Sequence, residues 1–233
     1  MSLPEKGKVR MFIEFSYPLD LANAIHDEAI QAPRVIERSR MSEGKPHNTS
    51  YFEMYAHTGT HIDSPWHFNN RGKKIHEFRI EEFVFTNVVL LQIKKDAWEE
   101  IQQEELASHA ESIAQCDALL LHTGFGSAYR NSQPDVYQKG IPGMTMDAAK
   151  YLASYRNIRC IGVDFGSVEN LQKNRPLGYP VHHALLEREE PMILLEDANL
   201  AVLPQEAIHR IYLFPLRIHE IEASPVTAVA EYL

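Results

Sequence analysis

The chain has 233 residues and a formal charge of −9, with 44% hydrophobic and 24% charged residues, a make-up that supports one substantial globular core. The acidic balance lacks the basic face that sequence-independent nucleic-acid binding requires, and no apolar run approaches the roughly 20 residues of a membrane span. Only Cys116 and Cys160 are present: too few for a disulfide framework or a Cys-rich zinc module, so a reduced, cytoplasmic protein is expected, with any metal held by His and carboxylates.

The N-terminal stretch has no apolar segment of the kind a signal peptide carries. Its residues 9–16, "VRMFIEFS", alternate well enough for a first strand. Residues 18–33 read as a short helix or irregular segment closed by Pro33, and 34–50, polar and basic without a period, as loop. Residues 48–56, "NTSYFEMYA", are β-branched and aromatic and predict a strand. A long buried strand is expected over 82–93, "EFVFTNVVLLQI". Residues 96–115 read as a helix with Asp96 as N-cap and carboxylates in its first turn.

Further on, "DALLLHTG" is a strand ending at Gly124, and "MTMDAAKYLASY" a helix capped by Thr145. "IRCIGVDFGS" and "PMILLEDANL" are buried strands, and residues 207–233 supply one or two more. Strands alternate with helices in the middle and cluster at both ends. No repeat, low-complexity tract or linker interrupts the chain, so residues 1–233 are expected to form one mixed α/β domain rich in β structure.

The densest chemistry lies in "AHTGTHIDSPWHF", residues 56–68. His57 and His61 would share one face of a helix, but Thr58, Gly59, Thr60 and Ile62 are poor helix formers and Pro65 follows, so extended chain is favoured. Alternation then puts His57, Gly59, His61, Asp63 and His67 on one side, with Thr58, Thr60, Ile62 and Trp66 on the other. Gly59 would leave a hollow between two imidazoles. Two histidines at this spacing are most often ordinary core or surface residues; the added aspartate, glycine and further histidine make a divalent-cation site an even competitor. Imidazole plus carboxylate favours Zn²⁺, Mn²⁺ or Fe²⁺ over Ca²⁺ or Mg²⁺.

"HTGTHIDSPWHF" closely resembles the His-x-Gly-Thr-His-x-Asp-x-Pro-x-His signature of the cyclase family of metal-dependent hydrolases, which includes bacterial kynurenine formamidases and isatin hydrolases. The resemblance continues in order through "EFSYPL", "LLLHTGF", "IGVDFGSVEN", "YPVHHALLEREEPMILLEDANL" and "ASPVTAVA". It implies a swivelling β/β/α-type single domain with the metals in a β-rich core and helices outside. It implies His57, His61 and Asp63 as ligands of a first metal, His182 and Glu196 as ligands of a second with Asp63 bridging, and His67 as general acid/base. It also implies one or two divalent ions per chain, Zn or Mn, and a homodimer or homotetramer.

Physical sense bears on the second pair. Glu196 closes the apolar run "PMILL", where a carboxylate is costly unless it is paired or ligates a metal. His182 stands beside His183 just before an apolar "ALL", and either imidazole could be the ligand. Asp164 also follows an apolar strand and reads as a structural acid or one that supports a ligand. His122 ends a strand without metal-ligand spacing, and His26, His47, His76, His109, His209 and His219 read as ordinary histidines.

The chain departs from its relatives at several points. Glu14 stands where Asp is frequent, Asp197 follows Glu196 in place of Asn, and Thr227 takes a position often held by Arg. Residues 20–40 contain no Trp, whereas kynurenine formamidases carry a Trp near the substrate ring. The expected activity is hydrolysis of a non-peptide C–N bond in a small-molecule formamide or cyclic amide. Alternatives are a cyclase or lyase that stabilises an enolate on the same metals, and a metal-binding protein without turnover. "HTGFGS" lacks the Gly-x-Ser-x-Gly elbow of serine hydrolases.

Overall fold

The computed structural model describes residues 10–21 and 32–233. Its strands are β1 (Met11–Glu14), β2 (Arg34–Ser39), β3 (Thr49–Glu53), β4 (His61–Asp63), β5 (Val84–Phe85), β6 (Val88–Gln92), β7 (Ala118–His122), β8 (Cys160–Val163), β9 (Ile193–Glu196), β10 (Arg210–Pro215) and β11 (Ala223–Tyr232). The helices are α1 (Gln103–Ala107), α2 (Ala110–Ile113), α3 (Phe125–Tyr129), α4 (Pro134–Lys139), α5 (Met146–Ala153), α6 (Leu171–Asn174) and α7 (Pro180–Leu186). None of the described helices is long and apolar enough to cross a membrane.

Nine strands form one sheet in the order β5-β10-β11-β4-β9-β8-β7-β6, with β1 paired to β11. β5 and β6 stand at opposite ends of this order, yet only Thr86 and Asn87 separate them in the chain. The sheet must therefore curl until its edges approach, giving a nearly closed β core. The mixed α/β architecture expected from the sequence is the one found. Strands β6 to β9 are mutually parallel, joined by helical crossovers, and the remainder pair antiparallel.

The continuous apolar runs of the parallel strands follow from burial on both faces. Leu119 and Leu121 of β7 pack outward with Ile161 and Val163 against Leu106, Leu152 and Leu185 of the helices. Ala118 and Leu120 point into the curl with Cys160, Leu195, Phe85 and Leu213. Thr145 caps α5, its Oγ1 accepting from the Ala148 N–H at 3.2 Å.

Local expectations change in three segments. Residues 34–39 are a strand, paired with β3 in a separate two-stranded ribbon; the ribbon is largely exposed on both faces, so no burial period marks it. The strand expected over 82–93 splits into β5 and β6, because Thr86 and Asn87 turn their N–H groups onto the Asp117 carboxylate at 3.3 and 3.0 Å. The helix expected over 96–115 becomes two short ones. Ile101 is drawn into a parallel bridge with Met144 and fully buried, and the chain before it turns at Ala97 and Trp98, the latter at φ +65°, so no helix starts there. Gln102 takes the cap position of α1, while Asp96 binds the Ala97 N–H and the Tyr129 hydroxyl. The possible helix over 18–33 lies mostly outside the described residues.

Candidate functional site

The centre of the site is β4, held between β9 and β11. Alternation works for its two outer residues: His61 and Asp63 share a face, and Ile62 enters the core between them. The expected extension does not reach His57 or His67. Residues 56–57 form a turn and 58–60 a bend, with Gly59 at φ +66°, and Pro65–His67 is a 3-10 turn started by the proline. Gly59 thus serves a left-handed bend and a close approach, since a Cβ there would lie 2.6 Å from Leu19 Cδ2. Thr60 points away from the site as expected: its Oγ1 accepts from the Tyr17 N–H at 2.9 Å and donates to the Asp197 carbonyl at 2.5 Å.

All six residues singled out in the sequence come together. His61 is the register partner of Glu196 across β4 and β9, with Nε2 to Oε2 at 3.4 Å. His57 Nδ1 stands 2.9 Å and His61 Nε2 3.4 Å from Asp63 Oδ1. His67 Nε2 and His182 Nε2 stand 4.0 and 3.9 Å from Asp63 Oδ2, and His182 Nε2 is 3.5 Å from Glu196 Oε1. The doubled histidine separates cleanly on α7. The His182 side chain is 5% exposed and faces the carboxylates; His183 is 42% exposed and pairs with Glu187 at 3.0 Å. Asp164 stays outside the cluster, accepting from the Thr123 and Gly124 N–H groups and the Thr123 hydroxyl.

The donor set fits a cation. Both Asp63 oxygens and His61 Nε2 are buried without a hydrogen bond of acceptable geometry, although such groups are normally paired. The ligand atoms of His57, His61 and Asp63 lie within 4.8 Å of one another, as do those of Asp63, His67 and His182, and those of His57, His67 and Glu222. Three imidazoles also bind protein acceptors through the nitrogen that faces away from Asp63. His57 Nε2 meets Glu222 Oε1 at 3.2 Å, His61 Nδ1 the Gly59 carbonyl at 2.8 Å, and His182 Nδ1 Glu169 Oε2 at 2.9 Å. Such contacts fix ring orientation in metal sites.

Electrostatics follow the same plan. Burial opposes ionisation of Asp63, but His57 and His61 outweigh it and hold the carboxyl well below its usual range. Burial and Asp63 raise the Glu196 carboxyl, while His182 and His61 bring it down further, leaving it low. Burial likewise opposes protonation of His182, yet Glu169 and Glu196 push it up to about 9; His57 and His61 also move up beside their carboxylates. His67 differs. Burial dominates there, with the His57 and His182 charges adding to it, and its imidazole falls to about 4.

Two acids escaped the sequence reading. Glu169 follows the buried β8 strand by a few residues, a faint signal. Glu222 lies 165 residues from His57 in the chain and has no local signature; Ser64 brings it in by donating both its N–H and its hydroxyl to the Glu222 carbonyl at 2.8 Å. A cavity of about 840 Å³ opens onto the cluster, walled by Phe68, Tyr137, Ile141, Leu171 and Tyr179.

Comparison with known proteins places the chain. The family model described as "Putative cyclase" matches residues 13–170. A kynurenine formamidase of Bacillus mycoides (strain KBAB4) is 33% identical over 224 residues, covering 95% of this chain and 98% of that protein. A kynurenine formamidase of Bacillus thuringiensis subsp. konkukian (strain 97-27) is 34% identical over 184 residues, 78% of this chain and 79% of that protein. Isatin hydrolase A from Labrenzia aggregata, solved with benzyl benzoate, shares the fold at a TM-score of 0.79 and 23% identity, covering 95% of this chain and 93% of that one. With the family model over well more than half its length and a relative matched almost from end to end, the chain belongs to the cyclase family.

Proposed function

We propose that this protein is a divalent-metal-dependent amidohydrolase that cleaves the C–N bond of a small amide, an N-formyl aryl amide or a cyclic amide. The observation that carries the reading is Asp63: a fully buried carboxylate with no satisfactory hydrogen bond, facing four imidazoles. The formamidases among its relatives support amide chemistry, and the aromatic and aliphatic cavity wall suits a flat aryl group.

His57, His61 and Asp63 would hold one ion, and Asp63, His182 and Glu196 a second. Imidazole and carboxylate donors without thiolate suit Zn²⁺ or Mn²⁺. A bound divalent cation supplies Lewis acidity, lowering the pKa of water towards about 7 and polarising a carbonyl. His67 does the proton work. It is neutral near pH 7 and lies on the cavity wall within 4.0 Å of Asp63. It accepts a proton from the attacking water and returns it to the departing nitrogen. Its ring rests against Phe68 and His57, with centroids 4.4 Å away in each case, so it is oriented before substrate arrives.

Elemental analysis of purified protein, with turnover assays on aryl formamides, lactams and esters in ¹⁸O-water, tests the reading. Bound divalent metal and ¹⁸O in the acid product are expected. Turnover without ¹⁸O incorporation would transfer the site to elimination or cyclisation chemistry, and protein that holds metal but turns over no amide would end the hydrolase reading.

A further inference from the structure

We infer that Glu169 is a positioning residue: it sets the orientation of the His182 imidazole and so selects the nitrogen presented to Asp63 and Glu196. The inference rests on the metal-dependent reading above. Glu169 lies between β8 and α6 with no solvent exposure. Burying a carboxylate costs several kcal/mol or more unless it is hydrogen-bonded (of order 2–7 even for neutral polar groups). Here one stretch of α7 meets that demand. Glu169 Oε1 accepts from the Val181 N–H at 3.2 Å, and Oε2 accepts from the His182 N–H at 3.0 Å and His182 Nδ1 at 2.9 Å.

The same carboxylate oxygen therefore holds both the backbone and the ring of His182. A ring flipped about χ2 would lose the Nδ1 contact and turn a carbon towards Glu169. With Nδ1–H donated to Glu169, Nε2 is directed at Glu196 Oε1, 3.5 Å away, and Asp63 Oδ2, 3.9 Å away. Beyond Glu169 and the two carboxylates at Nε2, the ring is contacted by aromatic groups, Phe68 stacking at 4.6 Å, which restrict its plane but do not distinguish its two nitrogens. His183, one residue on, has no such partner and turns to Glu187. Glu169 thus explains which of the two adjacent histidines enters the site.

Glu169→Gln keeps the volume and removes the charged acceptor. Loss of such a partner costs roughly 10–100-fold in metal affinity. Two readouts decide the matter. The first is Zn²⁺ or Co²⁺ affinity, by competition with a chromophoric chelator, on folded Glu169→Gln and wild type. One class of site should weaken about 10–100-fold while the other is unmoved. The second is the ring N–H proton of ¹⁵N-labelled His182 in metal-free protein: a downfield, exchange-protected Nδ1–H in wild type, shifted upfield or exchange-broadened in Glu169→Gln. Unchanged affinity with an unchanged resonance overturns the proposal, as does equal weakening of every site, which marks a general structural role. If Glu169→Gln does not fold, the wild-type resonance decides alone, and absence of a protected Nδ1–H on His182 overturns it. Wild type that binds no divalent ion would sink the metal reading, yet the resonance would still test Glu169.

Discussion

Arg130 grips Asp197 through two parallel hydrogen bonds, Nε to Oδ1 and Nη2 to Oδ2, each 2.8 Å long. Asp197 follows Glu196 directly and sits in left-handed backbone at φ +52°, a conformation Asp tolerates better than most residues. The Tyr137 hydroxyl donates to the same carboxylate, and the guanidinium lies 3.8 Å over the Tyr17 ring. The end of β9 is thereby pinned to α3 and α4 on the cavity wall. Arg130→Ala leaves a buried carboxylate without its cation and should destabilise the fold by on the order of 3 kcal/mol. Urea denaturation measures this; a loss below about 1 kcal/mol would put the pair in the range of exposed ion pairs.

Metal content should depend on Asp63 above all, because its carboxylate stands within 4.0 Å of all four imidazoles, two at each oxygen. Asp63→Ala should lose most of the bound metal, including that associated with His182. Elemental analysis of variant and wild type gives the answer, and undiminished metal in the variant would remove Asp63 from the bridging role.

Substitutions at the doubled histidine should have opposite outcomes. His182→Ala should weaken one metal site, whereas His183→Ala should leave metal binding intact, losing an exposed contact with Glu187 worth under about 1 kcal/mol and an edge contact with the Phe68 ring. Chelator competition on both variants separates them. Metal loss confined to His183→Ala would mean that α7 turns His183, not His182, towards Asp63.

Cation uptake should release protons. His57, His61 and His182 all stand above the ordinary imidazole range, His182 at about 9. In metal-free protein at pH 7 the His182 ring holds a proton that a metal ligand must give up, and the upward shifts of His57 and His61 act in the same sense. The sign for stability follows: a folded pKa above the unfolded value of about 6.5 gives stabilisation that is complete below pH ~6.5 and fades as pH rises through about 9 for His182. Metal-free protein should therefore lose stability between those pH values. Adding Zn²⁺ in weak buffer at pH 7 should acidify the solution, read with an indicator dye. No pH change would show these imidazoles to be already neutral.

His67 should behave differently from the ligands. Burial depresses its pKa to about 4, so its base form persists as pH falls and is lost only towards that value. His67→Ala should keep its metal and fold and lose about 10²–10⁴-fold in turnover. An amide should suffer more than a matched activated ester, whose leaving oxygen departs without protonation. Steady-state rates for both substrates test this. Loss of metal in the variant would instead make His67 a ligand, a role that its closeness to Asp63 and His182 permits geometrically.

The sequence by itself determined the mixed α/β class, the buried strands β7, β8 and β9, the capped helix α5 and the concentration of His57, His61, Asp63 and His67 in one short stretch. Each rests on a local signal: apolar runs that bury both faces, a threonine cap, and residue types whose chemistry is legible at short range. Tertiary structure decided the rest. Whether His182 or His183 enters the site depends on how α7 is rotated, which the buried Glu169 sets from an adjoining loop. Glu222 reaches His57 only because β11 lies beside β4. The break before α1 comes from the long-range bridge of Ile101 to Met144, and the hidden strand β2 from a ribbon that buries too little on either face to show a period. Local propensity is written in neighbouring residues, whereas a site assembled across strands depends on pairing energies between segments far apart in the chain.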